Sequence, residues 1–160
     1  MKHKSDPFGD FHCIHCRTLI SANKLLSGVN NRNHCPYCLW SRHVDLYQAG
    51  DRLSACKGAA QPIGLTFKRM NKRYGSLYGE LMIIHVCTEC GHLAINRIAA
   101  DDIPATLLET FAHTLRLNSS LRERLQLAGI TPVSTADEPA VRARLFGQPA
   151  GVSMGRLLTE

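Results

Sequence analysis

Residues 81–96 read Leu81-Met82-Ile83-Ile84-His85-Val86-Cys87-Thr88-Glu89-Cys90-Gly91-His92-Leu93-Ala94-Ile95-Asn96. An apolar run enters a Cys-x-x-Cys-Gly turn and a second apolar run leaves it, which is the layout of a zinc knuckle on a β-hairpin. The glycine after the second cysteine lets the backbone bend beneath a metal ion. Working outward, residues 11–97 read as short strands and turns placed around cysteines.

Upstream, Cys13-Ile14-His15-Cys16 and Cys35-Pro36-Tyr37-Cys38 are two more Cys-x-x-Cys turns, eighteen residues apart. Each such turn aims two sulfurs at one point, and two turns complete the tetrahedron that Zn²⁺ takes. Cys56, Cys87 and Cys90 are left as three donors lacking a fourth. His85 precedes Cys87 by two residues, on the same side of a strand, and is the favoured fourth ligand. His43 comes next, then His92 and His34. Two Zn²⁺ are expected, although sequence order alone also allows the first Cys-x-x-Cys to join the third.

The chain has 160 residues, 44% of them hydrophobic and 20% charged, which suits a folded domain and excludes wholesale disorder. Only 6% are aromatic, with a single Trp40, so metal is expected to supplement a modest core. The seven cysteines all fall within the first ninety residues. An odd number arranged in pairs points to metal in a reducing compartment, not to disulfides. Residues 1–10 carry two lysines but no apolar centre or small-residue cleavage site, so no secretory signal is expected. The longest apolar run is far too short to span a bilayer. A cytoplasmic location without membrane attachment follows as the expectation.

The net charge of +6 is unevenly spread: the first hundred residues hold 13 Lys/Arg against 6 Asp/Glu, the rest 6 against 7. Seven thiolates and two Zn²⁺ would bring the first part from +7 to about +4. A basic surplus remains, of the kind that favours an anionic partner.

Beyond Asp102 the texture turns helical. Asp101 and Asp102 can cap a helix with Pro104 in its first turn, and Leu107, Leu108, Phe111 and Leu115 recur at helical spacing. Ser120 and Glu123 resemble a capping box for a second helix ending at Gly129, and residues 139–146 predict a third before Gly147. Three units are therefore expected: a zinc-binding domain over 9–100, a helical extension over 101–147 and a frayed tail over 148–160. Helices this short need to dock on the zinc domain or on a protein partner.

The run Arg32-Asn33-His34-Cys35-Pro36 spells the motif after which the RNHCP family of small bacterial zinc-binding domains is named. The chain resembles that family further in Tyr37-Cys38-Leu39, Arg42-His43-Val44-Asp45, Gly50-Asp51-Arg52, Cys56 with Gly58, Pro62-Ile63, His85-Val86-Cys87, Cys90-Gly91, Asn96-Arg97 and Asp101-Asp102. The resemblance spans about residues 9–103 and implies a zinc-ribbon-like fold and a bacterial origin; with the helical extension, which lies outside the match, the chain is expected to be α+β. It implies no particular reaction. Arg17 stands where the first knuckle would be expected to carry glycine.

Phe67-Lys68-Arg69-Met70-Asn71-Lys72-Arg73-Tyr74-Gly75 interleaves four cations with aromatic residues. That composition matches a phosphate backbone and offers rings for unpaired bases. Lys68, Arg69, Lys72, Arg73 and Tyr74, with Arg32, Arg42 and Arg52 in the motif region, are the candidate nucleic-acid contacts. Those motif-region residues equally suit a scaffold that orients metal ligands. The expected function is a non-enzymatic module binding RNA or a nucleoprotein such as the ribosome. A zinc-dependent hydrolase would use Cys56, Cys87 and Cys90 for metal, with His34, His43, Asp45 or Asp51 as base, but three thiolates blunt the Lewis acidity it needs. Cys35-Pro36-Tyr37-Cys38 is also a glutaredoxin tetrapeptide, yet no parallel-sheet pattern surrounds it. A protein adaptor acting through the C-terminal helices is the remaining reading.

Overall fold

The hairpin expected from residues 81–96 forms one half of a four-stranded antiparallel sheet. The computed structural model describes residues 9–48, 50–68 and 79–147. A two-stranded ribbon, β1 (Phe11–His12) with β2 (Leu19–Ile20), carries the first knuckle, and a single helical turn α1 (Lys24–Ser27) follows. The main sheet runs β3 (Ser41–Arg42), β4 (Ala59–Lys68), β5 (Glu80–Cys87), β6 (Leu93–Arg97) in that spatial order. Helices α2 (Pro104–Leu115), α3 (Ser119–Leu127) and α4 (Glu138–Phe146) complete the chain, with a 3₁₀ turn at Thr135–Asp137. Sheet and helices make the α+β arrangement anticipated above.

Strand β5 is buried along nearly its whole length, consistent with its unbroken apolar sequence and central place between β4 and β6. Its neighbour β4 shifts register between Pro62 and Gly64, where a proline cannot donate to the ladder. The irregularity receives α2: Leu65 N donates to Thr114 Oγ1 at 3.0 Å, and His113 Nδ1 donates to the Ile63 carbonyl at 2.9 Å. A Cβ at Gly64 would stand 3.0 Å from Thr114 Oγ1, so glycine permits this close approach.

The helices share their core with the sheet. Leu65, Leu81 and Ile83 pack with Leu107, Phe111, Val133 and Val141, while Ile63 and Ile84 pack with Leu117 and Leu125. Each such side chain contributes roughly 1.5–3 kcal/mol by leaving water. This burial stabilises helices that would be marginal alone. No helix among the described residues is long and apolar enough to cross a membrane.

Two helix starts differ from expectation. Ile103 occupies the cap position of α2 without a side-chain bond, because the Asp102 carboxylate is engaged elsewhere. Helix α3 is capped by Asn118, whose Oδ1 accepts from Leu121 N at 2.8 Å, so Ser120 lies inside the helix. The tail expected over 148–160 and the basic residues Arg69, Lys72, Arg73 and Tyr74 lie outside the described residues.

Candidate metal centres

In the first centre both knuckle backbones curl around cysteine sulfur. His15 N and Cys16 N each point at Cys13 Sγ at 3.4 Å, and Tyr37 N points at Cys35 Sγ at 3.4 Å. Cys13 Sγ stands 3.5 Å from Cys38 Sγ, and Cys16 Sγ 3.6 Å from Cys35 Sγ. A tetrahedral ion with Zn–S bonds of about 2.3 Å places sulfurs about 3.8 Å apart, so the four thiols already outline that shell. The first Cys-x-x-Cys therefore joins the second, and the crossed arrangement does not occur.

The thiols also have the chemistry of ligands. Burial pushes Cys35 up to about 11 and Cys38 higher still, whereas the Thr18 hydroxyl and backbone draw exposed Cys16 down to about 6. Free, the inner thiols stay protonated; a bound divalent cation holds them as thiolates.

The second centre gathers His43, Cys56, Cys87 and Cys90, with all donor atoms of each centre within 4.8 Å of one another. Cys56 Sγ is 3.6 Å from Cys87 Sγ, and His43 Nδ1 is 3.3 Å from Cys90 Sγ. His43 is brought there by β3 and by its own N–H, which donates to the Gly58 carbonyl at 2.8 Å. Burial, and then the neighbouring His92, hold His43 below its ordinary pKa against the pull of Asp45, favouring the neutral imidazole that binds metal. His92 stacks on it with ring centroids 4.5 Å apart. The other ring nitrogen, Nε2, is buried without a hydrogen-bond partner among the described residues. These donor sets fit two Zn²⁺, each with four ligands and a structural, closed shell.

His85, expected as the fourth ligand, is not one. It shares the Cys87 side of β5, but its ring is buried, with Nε2 2.7 Å from the Leu39 carbonyl and Nδ1 2.8 Å from Asn96 Nδ2. Burial first, opposed by the Leu39 carbonyl, takes its pKa down to about 3, so it is neutral. A carbonyl can only accept, so Nε2 carries the proton and Nδ1 accepts from Asn96.

The polar motif residues divide. Arg32 is not a nucleic-acid contact: its guanidinium is fully buried, with Nη1 2.8 Å from Asp101 and Nη2 3.3 Å from Asp102. Its Nε donates to the His34 carbonyl at 3.0 Å. His34 Nε2 meets Asp102 Oδ2 at 2.7 Å, and Ala99 N meets the same oxygen at 2.8 Å. Ile103 N then donates to the Pro36 carbonyl at 3.1 Å. The five-residue motif thus fastens the second knuckle to the start of α2. Asp102 is the residue that sequence reasoning missed as an anchor, having assigned it to a helix cap.

Asp45 and Asp51 brace one loop. Asp51 accepts from Leu46, Tyr47, Gln48 and Leu53 N–H groups, and Asp45 from Gly50 and Arg52. Arg42 and Arg52 are exposed, as is Lys68 at the end of β4. Arg42, Arg52, Phe11 and Trp40 line a cleft of about 570 Å³ beside the first centre. Trp40 is half-buried and stacked on His15, ring centroids 4.3 Å apart.

The sequence model of the RNHCP domain matches residues 8–108, which is more than half of the chain. No curated protein and no solved structure matches it.

Proposed function

The chain belongs to the RNHCP domain family, and on that premise we propose that this zinc-binding module is non-enzymatic and binds RNA, free or within a nucleoprotein such as the ribosome, in the cytoplasm. The observation that carries the reading is the cleft beside the first centre, where exposed Arg42 and Arg52 flank Phe11 and Trp40. Guanidinium groups match phosphates, and an indole gives an unpaired base a face to stack on. The Arg42 guanidinium has no partner among the described residues, so it is available to a ligand. Lys68 stands at the far end of β4 from Ala59, the partner of Arg42.

Hydrolysis fits the donors less well. The second centre supplies four ligands of its own, three of them thiolates, which leaves no position for an activated water. His34, Asp45 and Asp51, the bases such a reaction would need, are tied to Asp102 and to backbone N–H groups. A protein partner on the C-terminal helices has less to rest on, since Leu107, Phe111, Leu125 and Val141 are spent in the chain's own core.

Filter binding of zinc-loaded protein to bulk RNA at two salt concentrations tests the proposal. Micromolar binding is expected, weakening by about 0.7–0.9 log units per phosphate contact for each tenfold rise in salt. Trp40, the only tryptophan, should report it by fluorescence. Arg42→Ala with Arg52→Ala should weaken binding and flatten the slope. Absence of salt-sensitive binding at micromolar protein would overturn the reading.

A further inference from the structure

A second cavity shares Asn33, Ser41, Arg42 and Val44 with the cleft beside the first centre and lies between the loop after β3 and strand β6, against the second metal centre. Its volume is about 170 Å³. A cavity of about 150 Å³ accommodates a benzene-sized molecule, so one six-membered ring fills this space. Asn33 and Asn96 both line it, and both also line a smaller cavity of about 90 Å³ beside it.

The orientation of Asn96 is dictated by the buried histidine. His85 Nε2–H is committed to the Leu39 carbonyl at 2.7 Å, and Asn96 presents Nδ2 to Nδ1 of the same ring at 2.8 Å. Oδ1 and the second N–H of Asn96 are left over, an acceptor and a donor side by side at a fixed angle. They have no partner among the described residues, nor has the side-chain amide of Asn33. Of the charged groups on these walls, Asp45 is engaged by backbone N–H groups, and the Arg42 guanidinium is left for the phosphate that accompanies a base. Tyr47, 83% exposed, borders the cavity with a ring that can stack.

We infer that this cavity binds a single pyrimidine base, held edge-on by the amides of Asn96 and Asn33. Uracil and cytosine each present an adjacent donor and acceptor, which one primary amide can meet with two hydrogen bonds. Arg42 borders both cavity and cleft, so a strand lying past Trp40 can turn one base into the cavity while its phosphate stays beside the guanidinium. The base can come from such a strand or from a free nucleotide; only the first source rests on the RNA-binding reading.

Titrating isotope-labelled, zinc-loaded full-length protein with UMP, CMP, AMP and GMP, and separately with rU8, rC8 and rA8, tests the inference. A pyrimidine nucleotide should shift the side-chain amide resonances of Asn33 and Asn96, and purine nucleotides should bind at least tenfold more weakly. Asn33→Ala, which removes a half-buried side chain but keeps the backbone carbonyl that accepts from Ser41 Oγ, should weaken pyrimidine binding about tenfold with both zinc ions retained. Asn96→Ala should do the same and also disturb the His85 ring signals. With the oligonucleotides, preference for rU8 or rC8 over rA8 should vanish in Asn33→Ala while salt-sensitive binding persists. Nucleotide-induced amide shifts without any salt-sensitive RNA binding would support the cavity as a free-nucleotide site and remove the RNA reading. Unmoved amides, equal purine binding or an indifferent Asn33→Ala would overturn the inference, whatever the bulk RNA result.

Discussion

His34 Nε2 stands 2.7 Å from Asp102 Oδ2, with the Asp102 carboxylate fully buried and the His34 side chain 2% exposed. The two residues are 68 positions apart, and the contact joins the second knuckle to the entrance of α2. Arg32 completes the group by bonding Asp101, Asp102 and the His34 carbonyl together. Cysteines alone would fix the metal ions; this network fixes how the first centre sits on the rest of the fold.

Asp102→Ala would leave the Arg32 and His34 side chains buried beside a missing charge. Breaking one side of a buried ion pair costs about 3–5 kcal/mol. Thermal unfolding of the zinc-loaded protein should fall by about 10 °C, at roughly 2–4 °C per kcal/mol for a chain of this size. Asp102→Asn, which keeps an acceptor, should fall between. Equal melting of Asp102→Ala and the native protein would show that the network is dispensable.

Gly58 is predicted to be intolerant of alanine. Its carbonyl holds the His43 N–H, and a Cβ there would lie 2.5 Å from Glu89 Cγ and 3.0 Å from Cys87 Sγ. Gly58→Ala should weaken zinc at the second centre by about 10–100-fold, the usual effect of disturbing groups that orient ligands, and leave the first centre intact. Competition with a graded series of chelators measures both.

At Asp51 partial loss of water raises the carboxyl, but N–H groups of Gln48, Leu46, Leu53 and Tyr47 outweigh it and hold the pKa below the ordinary carboxylate value. A depressed folded-state pKa favours the ionised form, so its support for the loop is complete above about pH 4 and drains away as pH falls through the folded value. The Asp51 carboxyl carbon should therefore titrate below its neighbours by NMR. Asp51→Asn at neutral pH should speed amide exchange at Leu46, Tyr47 and Leu53 without releasing zinc. Ordinary titration and unchanged exchange would refute this.

Local signals were legible in the sequence and long-range ones were not. The β5–knuckle–β6 hairpin, each Cys-x-x-Cys turn and the three helices follow from spacing within a few residues, whereas the joining of the first turn to the second was left open by sequence order. The fourth donor of the second centre does not, because His43 reaches it through the pairing of β3 with β4 and the bond to Gly58. His85 satisfied every local criterion but lost its nitrogens to Leu39 and Asn96, one of them 46 residues away. Arg32 read as a free cation for the same reason: its carboxylate partners lie 69 and 70 positions downstream. The left-handed backbone after each knuckle is shared by Arg17, Leu39 and Gly91, with φ of 67°, 63° and 76°, so the missing glycine at Arg17 changed no turn.

The central claim is that two four-donor centres, one of them completed by His43, hold zinc and organise the fold. Zinc content per chain, measured after dialysis against a mild chelator, tests it most directly. The native protein and His85→Ala should each keep two ions, and His43→Ala should keep one. Fewer than two ions in the native protein, or loss of an ion from His85→Ala but not from His43→Ala, would contradict it.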